Sequence, residues 1–253
     1  AVPGRSSSSW VRWLALPAAF TLAEAARCTF PFGGVPLATT AMGQASAPLG
    51  QIARVFCAIG VTFAVAVVGV ALSALWERRH ILGTATLIGI LALWFVAIIA
   101  PSGHEVGTIN AAVVQGGGPQ GTRASETNPR DVFLRHVEAT ALVTTPVDLV
   151  VWPENVVEVE GPITANREDA VLSALAKKLN TTLVVGITEG IDSSKFANAS
   201  IAYFPDGSSG ERYDKVRRVP FGEYVPLRSL LERIAGTNSG LSSRDAVAGT
   251  QPA

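Results

Sequence analysis

The sequence predicts an α/β domain preceded by a transmembrane helical region, and three observations carry that reading. Two stretches, 55–76 and 81–100, run for 22 and 20 residues without a charge. Beyond Pro101, short apolar runs alternate with segments whose apolar residues recur at helical spacing. Of the 253 residues, 48% are hydrophobic and only 16% charged, too apolar for an ordinary soluble domain of this length.

Taken in order, "WVRWLALPAAFTLAEAARC" (10–28) reads as a helix entering or leaving a bilayer, interrupted by Pro17, Glu24 and Arg27. Glu24 lies one turn before Arg27, and an ion pair at the interface is its plainest use. Residues 28–53 carry three prolines and four glycines, a composition suited to a re-entrant or interfacial loop rather than a helix. The two charge-free stretches follow, each long enough to cross a hydrocarbon core of about 30 Å. The connection between them, Glu77-Arg78-Arg79-His80, is short and cationic, which places it on the cytoplasmic side and everything after Pro101 outside.

In the remainder, "TINAAVVQG" (108–116) and "VDLVVWPE" (147–154) read as buried strands, with a helix between them over 128–143. A second helix spans 166–180, followed by strands at 181–189, 198–207 and 210–217, the last two joined by "PDGSSG". Two regions result: a partial transmembrane region, 1–100, and one α/β domain, 101–253. Net charge is +4 in the first and −4 in the second, so no basic face for nucleic acid is present. The two cysteines, Cys28 and Cys57, sit in apolar sequence and form no disulfide framework. The three histidines lack ligand spacing, so neither a metal nor a cofactor is expected. The sequons at Asn180 and Asn198 are at the level chance produces.

Three residues have the right types for chemistry. Glu154 ends a strand behind a rigid Pro153, at the carboxyl end where α/β sites form. Lys215 ends another strand, and Glu223 lies in the Pro-braced loop "VPFGEYVP", where Phe221, Tyr224 and the prolines are expected to enclose it. Two of them have a plainer alternative: a solvated acid closing a strand for Glu154, a charged surface turn for Lys215. Joined to a thiol, they make a coherent set. One carboxylate takes the thiol proton, the ammonium stabilises the thiolate and the oxyanion, and the second carboxylate keeps the lysine charged. That chemistry is acyl transfer through a thioester.

The motifs "VVQGG", "DLVVWPEN", "LVVGITE", "NASIAYFPDG" and "RYDKVRRVPFGEYVPLRSLL", behind the membrane-type stretch "AEAARCTFPFGGVPLATTAMGQASAPLGQIARVF", resemble the apolipoprotein N-acyltransferases. These are membrane-bound members of the nitrilase, or carbon–nitrogen hydrolase, superfamily. The resemblance implies a nitrilase-like αββα sandwich, with Glu154 as general base, Lys215 as oxyanion stabiliser and Glu223 as supporting glutamate. It implies a phospholipid acyl donor, an apolipoprotein acceptor, and a multi-pass protein of the bacterial cell membrane with its α/β domain outside. Where the family has Glu-Trp-Leu-Arg, this chain has Glu24-Ala25-Ala26-Arg27. The family's nucleophilic cysteine lies on a strand beyond Ala253. The resemblance therefore implies a fragment truncated at both ends and inactive by itself, with Cys28 and Cys57 unable to substitute. Two other readings stay open: a membrane-tethered amidase or nitrilase-type hydrolase, and a scaffold that keeps the fold without chemistry.

Overall fold

The computed structural model describes residues 9–34, 36–101, 103–117, 127–144, 146–235 and 242–251. The chain divides into two compact units, 1–104 and 105–253.

The first unit has three long helices: α1 (Ser9–Thr29), α2 (Ala53–Trp76) and α3 (His80–Ile99). Pro17 lies inside α1, where Thr21 Oγ1 donates to the Pro17 carbonyl at 2.7 Å. The described residues of 30–52 stay irregular apart from two 3-10 turns, as their proline and glycine content predicts. Glu24 anchors this loop. Its carboxylate accepts from Thr40 N (3.2 Å), Thr40 Oγ1 (3.0 Å) and Thr62 Oγ1 of α2 (2.5 Å), while Arg27 stands farther off at 3.7 Å. Glu24 is therefore first a loop tether and only second an ion-pair partner. Arg54 donates to the carbonyls of Ile98 and Ala100, satisfying acceptors that the end of α3 leaves without helical partners. The helix spanning residues 48–76 and α3 are long and apolar enough to cross a membrane.

The second unit is built on one mixed sheet. Its strands are β1 (Ala111–Val113), β2 (Leu149–Val151), β3 (Val157–Glu160), β4 (Thr182–Gly190), β5 (Lys195–Tyr203), β6 (Ser209–Asp214) and β7 (Asp245–Val247). The order is β1-β2-β4-β5-β6, parallel from β1 to β4 and antiparallel from β4 to β6. β3 continues the lane of β2 along β4, and β7 continues the lane of β6 along β5. Helices α4 (Pro129–Thr140) and α5 (Arg167–Leu179) cover one face. Asn128 caps α4 by accepting from Arg130 N, and Asn180 closes α5 in a left-handed conformation. Under these helices, Val150, Leu183, Val185, Ile187, Ile201 and Tyr203 form the core with Phe133, Leu172 and Leu175. A short amphipathic helix, α6 (Arg228–Ala235), follows the Pro-Phe-Gly loop.

The opposite face is barer: Val113 is largely exposed and Val151, Val184 and Ala202 are half-buried. The nitrilase-like α/β fold that the sequence predicts is present as one helix-covered sheet, and the described residues contain no second sheet. β3, β7 and α6 are elements the periodicity did not announce.

Candidate active site

Glu154 owes its position to a break in a strand lane. β2 pairs with β4 as far as Val151↔Val184, and β3 resumes at Val157↔Ile187. Five residues, 152–156, thus cover the stretch that 185 and 186 cover on β4, and the excess is extruded as a bulge with Glu154 at its centre. The two ends are pinned by Trp152 N to Val184 O (2.9 Å) and Val156 N to Gly186 O (3.2 Å). Trp152 itself is buried, its indole N–H donating to Thr140 of α4 at 2.9 Å. Asn155 takes the left-handed conformation (φ 59°), and Thr188 Oγ1 donates to its side chain at 2.9 Å. Gly186 is required beneath the bulge, because a Cβ there would lie 2.5 Å from the Pro153 carbonyl oxygen and 2.6 Å from Glu154 Cα.

Lys215 follows β6, its N–H donating to Asn198 O at 2.9 Å. Here the lane beside β5 passes from β6 to β7, so the strand end releases the lysine side chain beside Asn198. Glu223 sits in a self-bonded loop: its N–H donates to Val219 O (2.8 Å) and its Oε2 accepts from Val219 N (2.7 Å). β7 fastens that loop. Ala246 N donates to Glu223 O, Val225 N donates to Asp245 Oδ1, and Arg228 pairs with Asp245 at 2.6 Å.

The three residues meet. Lys215 Nζ is 2.8 Å from Glu154 Oε1 and 2.7 Å from Glu223 Oε1. Asn198, buried on β5, reaches the same two oxygens with its Nδ2, at 2.6 Å and 3.0 Å. Sequence reasoning missed Asn198, treating it only as a chance sequon. The available signal was its place inside "NASIAYF", an amide flanked by alanines on a largely apolar strand. Phe221, in contrast, does not enclose Glu223 as expected: it is 58% exposed, and the glutamate is screened instead by Lys215, Asn198 and the Val219 N–H.

The electrostatics follow from these contacts. Burial pushes the Glu154 carboxyl up, but the hydrogen bonds from Lys215 and Asn198, with the lysine's charge, outweigh it and hold the group below the usual carboxylate range. For Lys215, burial favours the neutral amine, yet the hydrogen bonds and charges of Glu154 and Glu223 prevail and hold its ammonium above the ordinary value. Glu154 remains the more open carboxylate, its side chain 52% exposed against 12% for Glu223.

The sequence model of the carbon–nitrogen hydrolase family matches residues 110–251, and that of the apolipoprotein N-acyltransferase N-terminal domain matches residues 2–71. Among similar proteins, the apolipoprotein N-acyltransferase of Mycolicibacterium smegmatis is 29% identical over 76% of this chain and 38% of its own length. Those of Shewanella oneidensis (26% identity, 91% of this chain, 46% of the relative) and Allorhizobium ampelinum (29%, 90% and 45%) match more of it. The chain spans less than half the length of these curated relatives. A solved carbon–nitrogen hydrolase from Helicobacter pylori G27 is 24% identical, with a TM-score of 0.32 over 46% of this chain and 42% of that one. By the family match over more than half its residues and by its relatives, this chain belongs to the carbon–nitrogen hydrolase family, among the apolipoprotein N-acyltransferases.

Proposed function

We propose that the complete protein transfers an acyl chain from a phospholipid to the α-amine of an apolipoprotein's N-terminal cysteine, through a thioester on a cysteine of its own. The observation that carries this reading is the hydrogen-bonded set of Glu154, Lys215 and Glu223 in a unit whose chain is preceded by two membrane-length helices.

The unit 105–253 contains no cysteine, so the reading assigns the nucleophile to a segment other than these residues. The roles follow from which atoms are spoken for. Both oxygens of Glu223 are engaged, Oε1 by Lys215 and Asn198 and Oε2 by Val219 N. Among the described residues Glu154 is contacted at Oε1 alone, which leaves Oε2 to take the thiol proton. Lys215 has three N–H donors and spends two on the glutamates, so the third serves the developing oxyanion.

In the first half-reaction the thiol gives its proton to Glu154 and the sulfur attacks the ester carbonyl of the phospholipid. Collapse of the tetrahedral intermediate breaks the C–O bond, and Glu154 returns the proton to the departing lysophospholipid oxygen. In the second, the acceptor amine attacks the thioester, a C–N bond replaces the C–S bond, and its proton passes through Glu154 back to the thiol. The short cationic connection 77–80 favours the cytoplasmic side, which supports a reading with residues 105–253 outside, where both lipid substrates are anchored.

The test is incubation of the complete protein with acyl-labelled phospholipid and an apolipoprotein peptide. Label is expected first on the enzyme as a hydroxylamine-sensitive thioester and then on the peptide as an amide. Lys215→Ala should reduce thioester formation by about 100-fold or more, the scale of losing an oxyanion donor. Fatty acid released without peptide acylation would assign the hydrolase instead, and normal turnover by Lys215→Ala would remove the site. The 253-residue chain alone should acquire no label.

A further inference from the structure

We propose that Asn198 is a positioning residue for the general base: its amide joins the Glu154 and Glu223 carboxylates into one ring with the Lys215 ammonium, fixing which oxygen of Glu154 is left for the thiol. This rests on the acyl-transfer reading of the site. The geometry is a closed alternation of two donors and two acceptors, in which Nδ2 of Asn198 and Nζ of Lys215 each contact Oε1 of both glutamates, all within 2.6–3.0 Å.

Two carboxylates sharing one ammonium leave a surplus negative charge, and like charges so close drive one of them to take up a proton. An ammonium on a flexible four-carbon stem opposes that but does not dictate direction. A planar amide on a strand does. Its two N–H groups diverge at a fixed angle, and because carboxylates only accept, the amide has one orientation that satisfies both. The same residue accepts Lys215 N through its backbone carbonyl, so one position on β5 sets both the strand end that carries the lysine and the spacing of the acids. Asn198 is only 4% exposed, between two alanines, where an amide without partners would cost stability. With its side chain buried and both N–H groups engaged, the Asn198 sequon is not an accessible acceptor.

The experiment is a carboxyl-carbon NMR titration of Glu154 in the 253-residue chain in detergent micelles, with the signal assigned by its loss in Glu154→Gln. Removing one of the two hydrogen bonds on Oε1 in Asn198→Ser should raise the proton affinity of Glu154 about tenfold, one pH unit in its midpoint. Asn198→Asp, matched in shape and adding a third carboxylate, should raise it further, and it carries the test if the serine variant fails to fold. Thermal melts establish that each variant is folded. In the complete protein the acid limb of thioester formation should move up by the same amount, with KM for phospholipid unchanged. Midpoints and limbs that stay at the wild-type value in folded variants would overturn the positioning role. A shifted Glu154 titration together with a complete protein that acylates nothing would overturn the proposed function and leave the positioning role standing.

Discussion

Glu154 and Glu223 are the same carboxylate in different surroundings, and the difference predicts different mutants. In Glu154→Gln the amide oxygen keeps the hydrogen bonds from Lys215 and Asn198, and the NH2 turns to the open side. Its melting temperature should stay near wild type while thioester formation falls by about 100-fold or more, the scale of a lost general base. In Glu223→Gln either orientation sets an NH2 against donors, Lys215 and Asn198 on one side or Val219 N on the other. A loss of about 1 kcal/mol should appear as a lower melting temperature, because either orientation costs residue 223 at least one of its hydrogen bonds. Equal melting losses in the two variants would contradict this division of roles. The pH window follows from the same contacts. The depressed Glu154 contributes stability above its unfolded pKa and loses it as pH falls through the lower folded value. The raised Lys215 contributes below its unfolded pKa and loses it as pH rises through the higher folded value. The Glu154–Lys215 pair therefore stays charged on the acid side of the ordinary carboxylate range and on the alkaline side of the ordinary lysine range.

Between elements, the site depends on two lanes of the sheet that change strands, β2 to β3 beside β4 and β6 to β7 beside β5. Each changeover places a site residue at the break, Glu154 in one and Lys215 in the other, and Asn198 bridges them. The first changeover tolerates no side chain beneath it. Gly186→Ala would drive a methyl group into the Pro153 carbonyl and the Glu154 backbone, with overpacking that costs about 1–3 kcal/mol. Thermal melts should show that loss, and Glu154 should lose its contact with Lys215, read as a titration midpoint returning toward the ordinary carboxylate value. A variant with wild-type melting and titration would show that the bulge is not held by this packing. The strands that complete the two lanes, β3 and β7, have four and three residues, too short for alternation to stand out in sequence. Their partners on β4 and β5 decide that they are strands.

At the scale of the molecule, the chain joins a unit of membrane-length helices to a unit of mixed sheet. The chain should remain in the membrane pellet after an alkaline carbonate wash, and protease added outside spheroplasts should cut within 105–253 while sparing the 77–79 turn. Cleavage only after the membrane is permeabilised would reverse the proposed sidedness. The sequence by itself determined the two long helices, because twenty uncharged residues leave a backbone no other way to satisfy its polar groups in hydrocarbon. It also determined α4, α5 and the longer strands, whose periodicity records which face is buried, and the candidates Glu154, Lys215 and Glu223, whose motifs are contiguous in the chain. Only the tertiary structure decided that these three share one ring of hydrogen bonds, that Asn198 completes it, that Gly186 makes room for it, and that Glu24 tethers a loop more than it pairs with Arg27. The reason is separation along the chain. Glu154 and Lys215 are 61 residues apart, and no local pattern encodes the register by which β4 and β5 bring their ends within 2.8 Å.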